Sequence, residues 1–387
     1  MFFLRGISLM FLVALLCAQR QPSLTRLIPE GYWVYVGTAA YEGTPSKKIY
    51  LCSFDPKQGV LKLQGVAAET DNAGFLSVHP NQRYLYATSE VGEFHGEKTG
   101  AVNSFQIDAT TGKLQLLNQV SSLGANPAYV TVDRTGKFAL VANYYGGVIS
   151  LSIRDDGSLS HPISNVHETG VGVNPRRQES SHPHSAVLSP DNRFAIAVDL
   201  GLDKLFVYKF DQSTGSLTAN SPAFAQAPPG SGPRHLAFSP DQHFAYVVNE
   251  LNSTISAYAY DQRAGTLHLL QTISTVPPGF TGPNTGAEVQ VGPNGKFVYV
   301  SNRGHDSIGV FAVDSKNGML SPVQDVSTLG KTPRNFVFDP TGMFVLVANQ
   351  DSDQVVLFRV DPRTGRLTAT GASVKVVSPV CLSFAAR

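Results

Sequence analysis

Leu205-Phe206-Val207-Tyr208-Lys209-Phe210-Asp211-Gln212-Ser213-Thr214-Gly215-Ser216-Leu217 holds a strand and the turn that ends it. The run up to Phe210 suits a half-buried strand. Asp211 then closes an Asx-type turn with its side chain, and Gly215 takes the positive φ needed to send the chain back. The same Asp-x-x-x-Gly-x-Leu signature stands at residues 55–61, 108–114, 261–267, 314–320 and 361–367, with a shortened copy at Asp156-Gly157-Ser158-Leu159. One β-hairpin is used seven times.

A second pattern keeps step with the first. Pro233-Arg234-His235-Leu236-Ala237-Phe238-Ser239-Pro240 and Pro333-Arg334-Asn335-Phe336-Val337-Phe338-Asp339-Pro340 share Pro-x-x-apolar-x-apolar-x-Pro, and weaker copies begin at Ala73, Pro127, Pro183 and Gly286. A polar turn and an aromatic follow each. The period of roughly 46 to 56 residues, with several short strands per unit, is the signature of a β-propeller, in which one unit is one blade.

The two ends of the chain complete each other. Pro379-Val380-Cys381-Leu382-Ser383-Phe384 is a first strand with no blade after it, and Trp33-Val34-Tyr35-Val36 begins a blade that lacks its first strand. Pairing them closes the ring and removes two open sheet edges. The expectation is an all-β, seven-bladed propeller closed by the C-terminal strand pairing with the N-terminal strands, occupying residues 19–387.

Residues 1–18 are of another kind. One basic residue, Arg5, precedes an apolar stretch through Leu16 that is too short to span a bilayer comfortably, and Ala18 ends it before polar sequence. This reads as a cleaved secretory signal, so the mature chain is expected to be exported and free of the membrane. With Cys17 removed, Cys52 and Cys381 fall on strands two apart in the closing blade, too far for a disulfide. The net charge is +1 without a basic run, which argues against a nucleic-acid partner. A closed ring without free edges is expected to be a monomer.

Scaffold and chemistry separate by recurrence. The second strand of each blade ends on Asn143, Asn249, Asn302 or Asn349, with Asp199 and Ser89 elsewhere, which suits turn capping. The next position varies: Glu90, Tyr144, Leu200, Glu250, Arg303, Gln350. The start of the innermost strand varies too, giving His184, Arg234, Ala287 and Arg334, followed by Ser185, His235, Glu288 and Asn335. These positions face one mouth of the central channel. The same face receives residues 160–183 and 274–286, expected to be long irregular connections, in which Arg176 and Arg177 read as a solvated pair.

His184, Arg234, His235, Glu250, Glu288, Arg303 and Arg334 are therefore expected to converge. Charged groups are costly to desolvate unless paired or bound, and the excess of arginine suits a carboxylate or phosphate. The other histidines lack metal spacing, and no cofactor is expected.

His182-Pro183-His184, Gly232-Pro233-Arg234-His235, Val248-Asn249-Glu250 and Ser301-Asn302-Arg303-Gly304 resemble the seven-bladed lactonase family, which includes propeller-type 6-phosphogluconolactonases and fungal carboxymuconate cyclases. The resemblance covers nearly all of the chain after the signal. It implies a metal-independent lactone hydrolase for a small anionic sugar lactone, with His184, Arg234 and Glu250 catalytic and Arg303 binding the anion. His182, His235, Glu288 and Arg334 are the further substrate-binding candidates, and Lys204, Arg176 and Arg177 possible contributors. In that chemistry Glu250 or His184 would be the general base and Arg234 would stabilise the oxyanion. Three other readings stay open: a lactone-forming cyclase using the same groups, a metal-dependent lactonase through Glu90, Asn143, Asp199 and Asn249, and a non-catalytic binding propeller.

Overall fold

The computed structural model describes residues 31–40 and 46–387; the expected signal at 1–18 lies outside them. The described residues form seven four-stranded antiparallel sheets, six of them built from four consecutive strands. Blade 4, for example, runs outward from Pro183–Leu188 through Phe194–Asp199 and Lys204–Phe210 to Leu217–Gln226. Blade 1 is the composite one: Pro379–Ala386 lies innermost and pairs with Tyr32–Thr38, from Tyr32↔Ala386 to Thr38↔Pro379. The ring closes as the sequence implied. The first strands pack against one another around the axis, and seven apolar clusters fill the spaces between adjacent blades.

The recurring turns are built as expected and do more than reverse the chain. Asp55, Asp108, Asp211, Asp261 and Asp361 each accept two backbone N–H bonds on Oδ1, and the glycines that follow have φ between 65° and 77°. Each turn also seats its glycine on an aromatic at or next to the start of the second strand of the preceding blade. A Cβ on Gly265 would stand 2.5 Å from the Phe194 ring, and one on Gly318 would stand 2.2 Å from that of Phe244. In four blades a tyrosine two residues further along, Tyr35, Tyr86, Tyr246 or Tyr299, donates its hydroxyl to that glycine's carbonyl. Turn glycine and aromatic, read separately in the sequence, are two halves of one interlock between blades.

Cys52 and Cys381 are both buried and free, on the third and first strands of blade 1. One expectation needs correction. Residues 160–166 are not irregular: Leu159–Val166 is the outer strand of blade 3, paired from Val148↔Val166 to Ile153↔Leu159. Pro162 hides this in the sequence, but an outermost strand with register shifts tolerates a missing N–H. The connection itself is 167–182.

Candidate active site

A β-bulge near the start of every innermost strand builds the channel mouth. In blade 4 the register passes from Pro183↔Asp199 to Ser185↔Val198, which leaves His184 as the extra residue. Blades 5 and 7 repeat the step at Arg234 and Arg334, and the other four blades shift register in the same region. A bulge re-aims a side chain out of the strict alternation of a strand. Where blade 2 has Gly74, the missing Cβ lets the Glu90 carboxylate lie against the backbone.

The second strands supply the opposing groups. Their capping residues hold the turns: Asp199 Oδ1 accepts from His182 N and Leu202 N, and Asn249 Nδ2 donates to Thr254 Oγ1 and Ser256 Oγ. Asn143 and Asn349 donate to Ser122 O and Thr328 O, the carbonyls of the connections that enter their blades. Glu250 follows its cap directly. Its N–H donates to Gly232 O at 2.7 Å and its carbonyl accepts from Gly286 N, so blades 5 and 6 fix its backbone.

The buried Glu250 carboxylate gathers three arginines. Arg177 Nη2 lies 2.6 Å from Oε1, while Arg303 Nη2 and Arg234 Nε lie 2.9 and 3.1 Å from Oε2. Burial alone would raise its pKa; the charges of Arg303, Arg234 and Arg177 outweigh burial and bring it to about 2. Arg234 is itself buried and donates through Nη1 to Ala287 O at 2.7 Å. Burial and the like charges of Arg303 and Arg334 draw its pKa down, but it stays a cation at neutral pH.

His184 is the contrasting group. It is 5% exposed, and its Nδ1 has no hydrogen-bond partner among the described residues. Burial, then the charges of Arg234, His235 and Arg334, hold its pKa well below that of an ordinary histidine. It is a neutral imidazole beside guanidinium groups. Together with Glu250, Arg303, Arg334 and Glu90 it borders a cavity of about 290 Å³.

Other candidates do not border the cavity, Arg234 among them: it lies buried against the Glu250 carboxylate. His235 and Glu288 do not border the cavity; they form a deeper layer, with His235 Nδ1 3.2 Å from Glu288 Oε1 and Asn335 Nδ2 donating to Glu288 Oε2 at 2.6 Å. Phe75 and Tyr129 meet the His235 ring edge-on, at centroid distances of 5.8 and 5.3 Å. His182 stacks on Tyr144 at 4.4 Å and lies 3.0 Å from both Tyr144 O and Glu179 Oε1, so it supports the wall of the cavity. Lys204 sits over the Phe206 and Phe224 rings, outside the cavity lining.

The cavity also has members that the repeat did not mark. Tyr144, Tyr145 and Asn126 line it, and so does Arg177 from the 167–182 connection. Tyr144 occupies a variable repeat position and could have been included on that ground. Arg177, read from sequence as half of a solvated pair and only a possible contributor, is brought into the cavity and onto Glu250. Among the described residues no three His, Cys, Asp or Glu side chains form a metal-type cluster.

A neutral imidazole next to fixed guanidinium donors can accept a proton from water while negative charge on a carbonyl oxygen is stabilised. Residues 33–384 match the family model described as "Lactonase, 7-bladed beta-propeller". A 6-phosphogluconolactonase of Bacillus subtilis is 40% identical over 355 residues, 91% of this chain and 98% of that protein. A 6-phosphogluconolactonase of Formosa agariphila is 34% identical over 300 residues, 76% of this chain and 83% of that protein. The periplasmic gluconolactonase of Pseudomonas aeruginosa superposes with a TM-score of 0.85 at 40% identity, over 92% of this chain and 99% of that one. The chain belongs to the seven-bladed β-propeller lactonase family.

Proposed function

We propose that this protein hydrolyses a small anionic sugar lactone, of the 6-phosphogluconolactone type, with His184 as the general base. The observation that carries the reading is the neutral, buried His184 at the edge of an arginine-lined cavity. The relatives named as 6-phosphogluconolactonases support the substrate class. His184 takes a proton from water as the oxygen of that water adds to the lactone carbonyl carbon. Arg234 and Arg303 stabilise the resulting oxyanion. When the tetrahedral centre collapses, the ring C–O bond breaks and the imidazolium returns its proton to the departing ring oxygen. The product is an open hydroxy acid whose new carboxylate faces the arginines.

Glu250 acts in this scheme as the common counter-ion. A carboxylate with a pKa of about 2 is a poor proton acceptor, and its position orders three guanidinium groups before substrate arrives. The protein works outside the cytoplasm as a monomer. Residues 1–18 have the pattern of a secretory signal, and the P. aeruginosa relative is named as periplasmic.

The test is hydrolysis of 6-phosphogluconolactone by the purified mature chain, followed against the spontaneous rate, with His184→Ala alongside. Turnover in the wild type that collapses in the variant is the expected result. Wild-type turnover no faster than spontaneous opening would overturn the substrate assignment.

A further inference from the structure

Arg177 enters the site from a different kind of element than the other charged groups. His184, Arg234, Glu250, Arg303 and Arg334 sit on strands or at their ends, while Arg177 belongs to the connection between blades 3 and 4. That connection has a built interior. Asn174 Oδ1 accepts from Arg176 N at 3.0 Å, and Asn174 O accepts from Arg177 N and Gln178 N. The fully buried Gln178 accepts from Asn174 N on Oε1 and donates through Nε2 to Leu200 O, each at 2.9 Å. This turn leaves Arg176 exposed and directs Arg177 into the mouth.

The guanidinium of Arg177 is held by one corner. Nη2 contacts both Glu250 Oε1 at 2.6 Å and Tyr144 Oη at 3.3 Å, whereas Nη1 and Nε have no hydrogen bond among the described residues. The side chain is 40% exposed and borders the cavity. Arg234 differs on each count: it is buried, and its Nη1 is committed to Ala287 O. A guanidinium oriented through one nitrogen, with its remaining donors turned to a cavity, is an organised receptor for a phosphate or carboxylate oxygen.

We infer that Arg177 is the specificity-determining residue that receives the phosphate of a phosphorylated sugar lactone, so that the 167–182 connection sets the substrate class for chemistry supplied by the strands. The inference rests on the lactonase reading above. It moves the anion-binding role implied for Arg303 to a residue outside the repeat.

The experiment compares wild type, Arg177→Ala and Arg177→Lys on 6-phosphogluconolactone and on unphosphorylated gluconolactone. Arg177→Ala is expected to lower kcat/KM for the phosphorylated lactone at least about tenfold more than for the other, chiefly through KM, with partial recovery in Arg177→Lys. Equal losses on both substrates would show that Arg177 acts only by holding Glu250 and would overturn the inference, as would no loss on either. Wild-type turnover tests the lactonase reading separately. Should the wild type open neither lactone, calorimetric titration with 6-phosphogluconate decides: binding about tenfold weaker in Arg177→Ala upholds the inference, and equal affinity overturns it.

Discussion

Nε of Arg234 stands 3.1 Å from Oε2 of Glu250, with both side chains more than nine-tenths buried. The contact is an ion pair without hydrogen-bond alignment at Nε, and the same carboxylate serves Arg177 and Arg303. Removing the charge from Glu250 leaves buried cations uncompensated, which typically costs about 3–5 kcal/mol. Glu250→Gln should therefore lose stability together with activity, seen as a lower Tm in thermal unfolding beside a kinetic assay. A variant that melts like the wild type and has lost only kcat would identify Glu250 as the base instead of the counter-ion.

His184 should carry the proton. Its replacement by Ala is expected to reduce kcat by about 10²–10⁴-fold. Because burial and the neighbouring cations hold its pKa well below 6.5, the imidazole is neutral, and competent as a base, through the whole neutral range. The pH profile of kcat/KM should thus stay level as pH falls past 6.5 and decline only further down, where the ring takes up a proton. An acidic limb centred at or above 6.5 would remove His184 from this role.

His235 makes a prediction about stability. Burial and the charge of Arg234 bring its pKa to about 4, against the opposing pull of Glu288. In the unfolded chain the ring titrates near 6.5, so between these values the unfolded state binds a proton that the folded state refuses. The stabilisation is complete above 6.5 and is lost as pH falls toward 4, by roughly 3 kcal/mol across that window. Denaturant midpoints measured from pH 7 to pH 4 should fall less steeply in His235→Gln than in the wild type. Parallel slopes would mean that His235 is not buried in its neutral form.

What was legible in the sequence follows from what repeats. The turn at Asp211 and Gly215, the aromatic at Phe194 and the cap at Asn249 recur in step, so their roles could be read by position, and the missing first strand before Trp33 announced the closure by Pro379–Ala386. The same comparison picked out His184, Arg234, Glu250 and Arg303 as outliers; His184, Glu250 and Arg303 border the cavity, and Arg234 lies buried against the Glu250 carboxylate. Depth was not legible. Arg234 and His235 are neighbours in sequence, yet Arg234 pairs with Glu250, which borders the cavity, and His235 with Glu288, which does not. Arg177 could be read only as a possible contributor for another reason: its direction depends on Gln178 and Asn174 folding a unique connection, for which the repeat offers no template.

The interlock between blades yields the last prediction. Gly265 and Gly371 both have positive φ, 66° and 84°, so an alanine at either position pays backbone strain of about 1–2 kcal/mol. They differ in what surrounds them. A Cβ at Gly371 meets nothing within 4 Å, whereas at Gly265 it would press into the Phe194 ring at 2.5 Å. Forcing a methyl group into such a contact typically adds about 1–3 kcal/mol, because the ring must leave its rotamer or the blades must separate. Gly265→Ala should therefore unfold at clearly lower temperature than Gly371→Ala, and the difference between the two isolates the interlock from the strain they share. Equal melting temperatures would show that the blades hold together through their apolar clusters alone, with the turn glycine serving only to reverse the chain.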